Sequence, residues 1–598
     1  MERAPRAGRL WILALGGVCL LALAVRLLGL GYGLPAVYNP DEIPILNRAL
    51  ALAKGDPNPH NFLYPSLYFY AVFAWEAAFF VLGRTVGLFG SLGDFQREYF
   101  TDPSRLLLAA RAFTAVCGTL VVPALYWFGR RLYDRGVGLA AGLFYALAPL
   151  AARDAHYVKL DVPVTLMVVL THAALARIVV DEQAAGTRRA WIVAGLLGGL
   201  AISTQYYVGL IVFSLVAVAM ADLRRSGRWQ TSAALLAWSA AGVVVGFFAA
   251  TPFMLVEPQT AIRDIVAVRE IDIDRAVVTG VFVSVKPYLS MLLHDAVGWP
   301  VCLAAAAGAV WAFWSDWRRG LLIVTFPLLF LALVFNTVPM TRYLNAMLPS
   351  LALAAAFALT RVVQAVAGAR RAVSLRGTAP SSPPRKWAAV TAAIVLAAAI
   401  PGLAGTLRAD LFIRQTDTRT IAREFIEDHV PAASSILLQP YSVPLRRSRD
   451  AFVEALKSNL GSVERASIKF QLQLDAGPYD PPTYRLIFLG DGGEDPDKIY
   501  ISPRAFRGDA GLSPLRPFDI DYVILKRYNV DDPAMRPLAD SLSRDAELVA
   551  RFSPYRDDAA PEVQAAVHPF LHNTALRIDP ALARPGPIIE LWRIRPWN

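Results

Sequence analysis

Two adjacent carboxylates, Asp41 and Glu42, follow Pro40 shortly after an apolar segment of membrane-spanning length, residues 10–30. Apolar residues in the run 43–53 recur at helical spacing, which predicts a helix lying on the membrane surface. A carboxylate at the start of such a helix lies at the boundary between lipid and water, where it could accept a proton from a substrate. If a reaction takes place there, we expect one substrate to be a lipid.

Other polar side chains stand at the predicted outer ends of several apolar segments. Grouped together, they would form a site that holds an anionic lipid headgroup while a carboxylate handles a proton. These candidates are His60, Tyr64, His156, Lys159, Asp161, Gln205, Tyr206 and Arg342.

Composition defines the class of protein that positions these residues. Of 598 residues, 55% are hydrophobic and only 18% are charged, which predicts a polytopic α-helical membrane protein rather than a soluble one. The net charge of +11 is explained by basic clusters in predicted cytoplasmic loops, so we expect no nucleic acid partner. Cys19, Cys117 and Cys302 all lie in apolar segments and offer neither a disulfide framework nor a CxxC metal site.

The distribution of basic residues predicts the topology, with the N-terminus cytoplasmic and the outer loop 31–105 on the opposite side. We interpret residues 64–82 as a helix lying along or dipping into the membrane, because a full span there would place Arg130, Arg131 and Arg135 outside. About eleven transmembrane helices result. They are predicted at residues 10–30, 106–128, 137–152, 162–180, 191–207, 208–223, 233–250, 296–314, 321–335, 344–360 and 387–403.

After the predicted transmembrane domain, residues 1–403, the composition changes abruptly. Residues 404–598 are predicted to form a soluble α/β domain on the outer side, with a helix capped by Asp417. Short strands are predicted at 436–438, 485–489, 522–526 and 588–594. This domain carries no Gly-rich phosphate loop, HExxH or Cys/His cluster, so nothing in its sequence requires catalysis.

An ordered series of motifs carries a resemblance to a known family. The Asp-Glu pair and its helix are followed by Gly55-Asp56 and by residues 58–70, Asn-Pro-His-x-x-x-Tyr-Pro-Ser-Leu-Tyr-x-Tyr. The series resembles the first outer loop of the family 39-like membrane glycosyltransferases of the C superfamily, which are related to protein O-mannosyltransferases and lipid A aminoarabinose transferases. The resemblance continues through 105–136, 148–163, 201–210, Thr251-Pro252, Arg342-Tyr343-Leu344 and 417–445.

The resemblance implies transfer of a sugar from a polyprenyl-phosphate monosaccharide to a hydroxyl of a protein, lipid or glycan, with inversion at the anomeric carbon. It implies that Asp41 is the general base and that Asp161 is the second acidic position of the family. Glu42 would be catalytic, or else a solvated partner that orients an acceptor or a metal. For both aspartates the competing interpretation is a helix cap.

The same resemblance suggests residues that bind the donor phosphate. Arg342 could grip it with a bidentate fork, although an arginine anchoring the membrane boundary is the alternative. His156 could bind phosphate or a metal, or hydrogen-bond locally, and Lys159 could bind phosphate or extend to the interface.

Two departures from the family pattern concern the donor. Aminoarabinose transferases carry a Glu-Lys pair where this chain has Leu63-Tyr64, and many relatives carry Lys at the position of Gln205. Phosphate binding is therefore expected to involve Lys159, Lys286 or Arg342, and an aminoarabinose donor is disfavoured.

We therefore predict a multi-pass hexosyl- or pentosyltransferase of the bacterial inner membrane whose soluble domain faces the periplasm or cell exterior. A divalent metal is a possible cofactor, and no other cofactor is implied. The alternatives are a polytopic lipid or solute transporter and an inactive relative acting as a scaffold. Two observations argue against a transporter. The sequence has no convincing internal repeat, and the acidic residues gather at the outer boundary rather than at mid-membrane.

Overall fold

The computed structural model describes residues 4–274, 280–374, 385–492, 495–528, 532–570 and 578–595. Up to residue 413 the described chain is helical, because long apolar segments in lipid must satisfy their backbone hydrogen bonds internally. The helices described there are α1 Ala4–Leu27, α2 Glu42–Ala51, α3 Leu67–Thr85, α4 Leu92–Thr101, α5 Ser104–Leu132, α6 Arg135–Ala146, α7 Pro149–Asp154, α8 Asp161–Val180, α9 Glu182–Ala185, α10 Arg188–Ile202, α11 Val212–Ser226, α12 Trp229–Ala250, α13 Pro258–Arg269, α14 Val285–Met291, α15 Trp299–Ser315, α16 Trp317–Val334, α17 Leu348–Ser374 and α18 Arg385–Ile413.

The described residues contain nine helices that are long and apolar enough to cross a membrane. Two further helical segments, Val285–Ala296 and Trp299–Ser315, meet at 114°. If this bent pair forms one span, the number of candidate spans is ten. The polytopic α-helical fold is confirmed, and the described residues contain nine or ten such helices where about eleven were predicted. Predicted span 137–152 is divided between α6, of 12 residues, and the start of α7, and predicted span 191–207 contains most of α10, of 15 residues. Helices of that length are shorter than the roughly 20 residues that a bilayer requires.

Helix α3 is one of the nine, because its 19 residues pass the same test of length and apolarity. Length and composition do not fix the orientation of a helix, so its predicted position along the membrane surface stays a prediction. The centre of the basic loop between α17 and α18, residues 375–384, lies outside the described residues.

The C-terminal part folds as an α/β domain around one six-stranded sheet, as predicted. The sheet order is β3-β2-β1-β4-β6-β5, in which β1 to β4 are parallel and β6 runs antiparallel to both β4 and β5. Four strands were predicted, whereas β3 and β5 were not. The strands are β1 Ser435–Leu438, β2 Arg485–Leu489, β3 Tyr500–Ile501, β4 Tyr522–Arg527, β5 Ala546–Phe552 and β6 Ile588–Ile594.

Helices cover both faces of this sheet and bury two apolar clusters against it. The helix predicted after Asp417 is confirmed. Its predicted cap is confirmed as well, because the Asp417 carboxylate accepts the backbone N–H of Arg419 at 2.9 Å. The helices described in the domain are α19 Thr418–His429, α20 Arg449–Leu460, α21 Ile468–Ala476, α22 Arg536–Asp545 and α23 Pro561–Ala566.

The segment that precedes α2 packs directly against the α/β domain. Tyr32 donates its hydroxyl to Asp417 Oδ2 at 2.9 Å, and the Arg419 guanidinium lies 3.7 Å from the centre of the Tyr38 ring. Since Tyr38 is three residues before Asp41, these contacts help to fix the start of α2. Helix α18 continues to Ile413, beyond the predicted boundary, and the division at residue 403 stays a prediction.

Candidate functional site

Asp41 lies directly before α2, with its carboxylate between two cations. Oδ2 is 2.5 Å from Arg342 Nη1 and 3.2 Å from Lys159 Nζ. The Asp41 side chain makes no capping hydrogen bond, which argues against the capping alternative. It is 26% exposed, whereas Lys159 is buried and Arg342 is 15% exposed. Asp41 is therefore a carboxylate that solvent can reach and that two charged groups hold in place.

Asp161 is the first residue of α8 and forms the second carboxylate of this cluster. It is buried and accepts a hydrogen bond from the Tyr207 hydroxyl at 3.0 Å on Oδ1. Arg342 and Lys159 both act electrostatically on Asp161. Two acids thus face two bases, and the cluster carries no net charge when all four groups are ionised. We call Asp41, Lys159, Asp161 and Arg342 the outer cluster.

Arg342 belongs to a 3₁₀ segment, Thr341–Met347, that buried polar contacts tie to α7. Arg153 Nη2 donates to Thr341 Oγ1 at 2.8 Å, and Asn345 Nδ2 donates to Asp154 Oδ2 at 2.6 Å. The same amide also donates to the carbonyl of Arg342 at 3.1 Å. These contacts fix the backbone that carries Arg342.

The positioning roles of Asp154 and Asn345 were missed by sequence reasoning. An adjacent Arg-Asp pair at the end of an apolar segment was the available signal, because charges near lipid require partners.

Glu42 has a different environment from Asp41. It is completely buried and makes a bidentate ion pair with Arg111, with both N···O distances at 2.8 Å. Glu42 Oε1 also accepts the backbone N–H of Val158 at 3.0 Å, while Arg111 donates to the carbonyls of Leu30 and Tyr32. The alternative that Glu42 is a solvated partner is wrong, because Arg111 and Glu42 enclose each other, and the catalytic role of Glu42 stays a prediction.

Arg111 was also missed by sequence reasoning. An arginine inside the predicted span 106–128 was the signal that an acidic partner must lie nearby.

His156 is buried among backbone carbonyls, with an Asp410 carboxylate oxygen 3.8 Å from its Nε2. Its Nε2 is 2.8 Å from the carbonyl oxygen of Leu28, and its Nδ1 is 3.2 Å from that of Arg153. Burial lowers the pKa of His156 to about 4, so the ring is neutral at physiological pH. A neutral, enclosed imidazole supplies no positive charge to a phosphate, which favours the alternative of local hydrogen bonding.

Four other candidates lie along the outer loop and its neighbours. His60 is exposed and bridges Glu257 at 2.5 Å and Asp56 at 2.9 Å, and these hydrogen bonds raise its pKa. Tyr206 donates to the carbonyl of Phe62 at 3.0 Å. Gln205 accepts the N–H of Tyr206, and Tyr64 lies within electrostatic range of Arg342. His60 and Tyr206 thus tie the outer loop to the segments that follow α10 and α12.

Of the three lysine and arginine side chains expected to bind the donor phosphate, Lys159 and Arg342 contact Asp41, whereas Lys286 is exposed on α14. Within the described ranges, no group of three or more His, Cys, Asp and Glu side chains is placed to hold a metal ion. A role for a divalent metal stays a prediction.

Comparison with known proteins gives one family match. Residues 104–254 match the family model described as dolichyl-phosphate-mannose-protein mannosyltransferase. This segment runs from the start of α5 to four residues beyond α12 and contains Lys159 and Asp161. The predicted resemblance to protein O-mannosyltransferases is confirmed over these residues, and the described helices make the chain a polytopic membrane protein.

Several solved structures are also similar. The apo state of ArnT from Cupriavidus metallidurans is 16% identical and has a TM-score of 0.48, with 91% of this chain and 97% of that chain covered. ArnT from the same organism bound to undecaprenyl phosphate is 15% identical, with a TM-score of 0.46 and coverage of 91% and 96%. The archaeal oligosaccharyltransferase AglB from Archaeoglobus fulgidus, in complex with an inhibitory peptide and a dolichol-phosphate, is 11% identical, with a TM-score of 0.46 and coverage of 91% and 73%. No curated protein matches the chain.

Proposed function

We propose that this protein transfers a monosaccharide from a polyprenyl-phosphate donor to a hydroxyl group of a protein, lipid or glycan on the outer face of the inner membrane. The observation that carries the proposal is the partly exposed Asp41 carboxylate, which Lys159 and Arg342 hold at the start of α2. The matched family description names a lipid-phosphate sugar donor and supports this class of substrate.

Asp41 acts as the general base in this mechanism. The acceptor O–H gives its proton to the Asp41 carboxylate while the acceptor oxygen forms a bond to the anomeric carbon. The bond between that carbon and the phosphate oxygen breaks, and its electron pair leaves with the lipid phosphate. Attack opposite the leaving group inverts the anomeric configuration.

Lys159 and Arg342 stabilise the leaving phosphate, whose negative charge grows as the bond breaks. Without donor, their charges are balanced by Asp41 and Asp161. An incoming phosphate therefore competes with Asp41 for the two cations. Loss of those ion pairs makes Asp41 a stronger base, so that donor binding prepares the base for the acceptor.

Asp161 and Glu42 have positioning roles in this account. Asp161 is enclosed and oriented by Tyr207, and its charge keeps Arg342 and Lys159 in the cluster when Asp41 releases them. Glu42 fixes the start of α2 through Arg111 and thereby sets the position of its neighbour Asp41.

The test supplies purified protein with a panel of radiolabelled polyprenyl-phosphate hexoses and pentoses, together with hydroxyl acceptors from peptide, lipid and glycan classes. Wild type is compared with Asp41→Asn and with Asp94→Asn, an exposed acid of the same outer loop. We expect transfer by wild type and Asp94→Asn but not by folded Asp41→Asn. Undiminished transfer by Asp41→Asn would refute the assignment of the base.

A further inference from the structure

The α/β domain contains a crevice that the proposed transfer reaction does not use. In the described chain, a cavity of about 350 Å³ opens where β1 and β4 end, between Gln439, Lys526 and the first turns of α22. Strand β1 lies between β2 and β4 in the sheet, and the chain continues from β1 to β2 on one side before it returns to β4 on the other side. Ligands of open α/β sheets bind at this type of switch point, outside the carboxyl ends of the strands.

Lys526 gives the crevice its chemical character. Its Nζ donates to the carbonyl of Pro440 at 2.9 Å, and within the described ranges no carboxylate lies at ion-pair distance from it. Gln439 Oε1 accepts the backbone N–H of Lys526 at 2.6 Å, which fixes the end of β4 to the end of β1. Burial, with a smaller contribution from Arg419, lowers the pKa of Lys526 to about 8. An ammonium that is poorly solvated and poorly paired is stabilised by a bound anion.

The lining also contains Arg527, which pairs with Glu590 at 3.4 Å, together with the exposed cation Arg536 and hydrogen-bond acceptors. Arg536 is exposed and is the first residue of α22. The N-terminus of this ten-residue helix also favours negative charge. Asp532 and Asp540 are exposed at the margin, where their carboxylates can accept hydrogen bonds from hydroxyl groups. Cations at the end of the sheet and acceptors at the margin suit a ligand that combines an anionic group with hydroxyls.

We propose that this crevice binds a small anionic saccharide, with its phosphate or carboxylate group at Lys526 and Arg536 and its hydroxyls toward Asp532 and Asp540. The volume fits a ligand of monosaccharide size. This site is separate from the outer cluster, and its occupancy does not depend on transfer activity.

The experiment measures binding to the purified full-length protein by isothermal titration. The probes are glucose 1-phosphate, glucuronic acid and uncharged glucose, which distinguish a phosphate from a carboxylate and either one from the sugar alone. The variants are Lys526→Met, Lys526→Arg and Arg536→Gln. Lys457→Met is the matched control, because Lys457 is exposed on α20 in the same domain and does not line the crevice.

We expect at least one anionic probe to bind and glucose to bind at least about tenfold more weakly. Lys526→Met should weaken binding of that probe about tenfold, as expected for one lost charge-assisted hydrogen bond. Lys526→Arg should preserve most of the affinity, Arg536→Gln should weaken it about threefold, and Lys457→Met should leave it unchanged.

Folding is controlled by thermal unfolding of each variant. Replacing a poorly paired cation by methionine is not expected to destabilise the domain, and Arg536 is exposed. Failure of both anionic probes to bind wild type at millimolar concentration would overturn the proposal. Binding that neither Lys526→Met nor Arg536→Gln changes would also overturn it.

Discussion

Asp41 and Glu42 are adjacent, yet they belong to two regions with different physical character. Around Glu42, charges are fully buried, paired in fixed geometry and hydrogen-bonded by backbone groups from two segments. Around Asp41, the carboxylate is partly exposed and its two cations are also influenced by Asp161. The first arrangement stabilises the fold, whereas the second leaves charges that a substrate can rearrange. Equivalent substitutions in the two regions should therefore affect different properties.

The largest expected effect on stability is at Glu42. Glu42→Gln leaves Arg111 as a buried and poorly compensated charge, and we expect a loss of about 3–5 kcal/mol in the free energy of unfolding. The matched control is Glu98→Gln, because Glu98 pairs with Arg105 at the surface, where an ion pair contributes about 0–1 kcal/mol. Thermal and denaturant unfolding in detergent measure both. Equal stability of the two variants would show that the Glu42–Arg111 pair does not fix the start of α2.

A smaller effect, on activity rather than on stability, is expected at Arg342. Arg342→Gln removes a charge-assisted contact worth about 1.5–3 kcal/mol, so kcat/KM for the donor should fall about 10- to 150-fold. The control is Arg97→Gln, an exposed arginine of the outer loop. A loss of stability without a change in kcat/KM would contradict a role in donor binding and would show that Arg342 stabilises the fold, as Glu42 does.

Tyr207→Phe should have a weaker effect, because it removes only the hydroxyl that donates to Asp161. One neutral donor to a carboxylate contributes about 1–2 kcal/mol, which predicts a fall in kcat/KM of about 5- to 30-fold. Steady-state kinetics together with thermal unfolding separate loss of orientation from loss of folding. An unchanged kcat/KM would argue that Asp161 needs no orientation by Tyr207.

The smallest effect, on thermal stability, is expected at His60, an exposed residue of the outer loop. Hydrogen bonds to Asp56 and Glu257 raise the pKa of His60, so its contribution is complete below the unfolded value of about 6.5 and is lost as pH rises through the higher folded value. The unfolding temperature of wild type should fall slightly across this range relative to His60→Gln. Parallel pH profiles for the two proteins would contradict this link between the outer loop and Glu257.

The comparison also shows how far sequence reasoning extends. The predicted topology placed Asp41, Lys159, Asp161 and Arg342 at the outer face, and the structure brings together Asp41 and Arg342 from positions 301 residues apart. The sequence could not predict that Glu42 is buried in an ion pair while Asp41 stays partly exposed. That difference depends on which carboxylate Arg111 contacts once α5 has packed. Strand β5 was missed because most of its side chains are exposed or half-buried and it lacks an apolar run.

The central claim is that Asp41 removes the acceptor proton and competes with the donor phosphate for Arg342 and Lys159. The most direct test measures two quantities for Asp41→Asn and wild type: equilibrium binding of the donor identified in the panel, and single-turnover transfer with saturating donor. We expect Asp41→Asn to bind donor at least as tightly as wild type, because the phosphate no longer competes with a carboxylate, and we expect transfer to be abolished. Transfer at the wild-type rate would contradict the account, as would complete loss of donor binding in a folded variant.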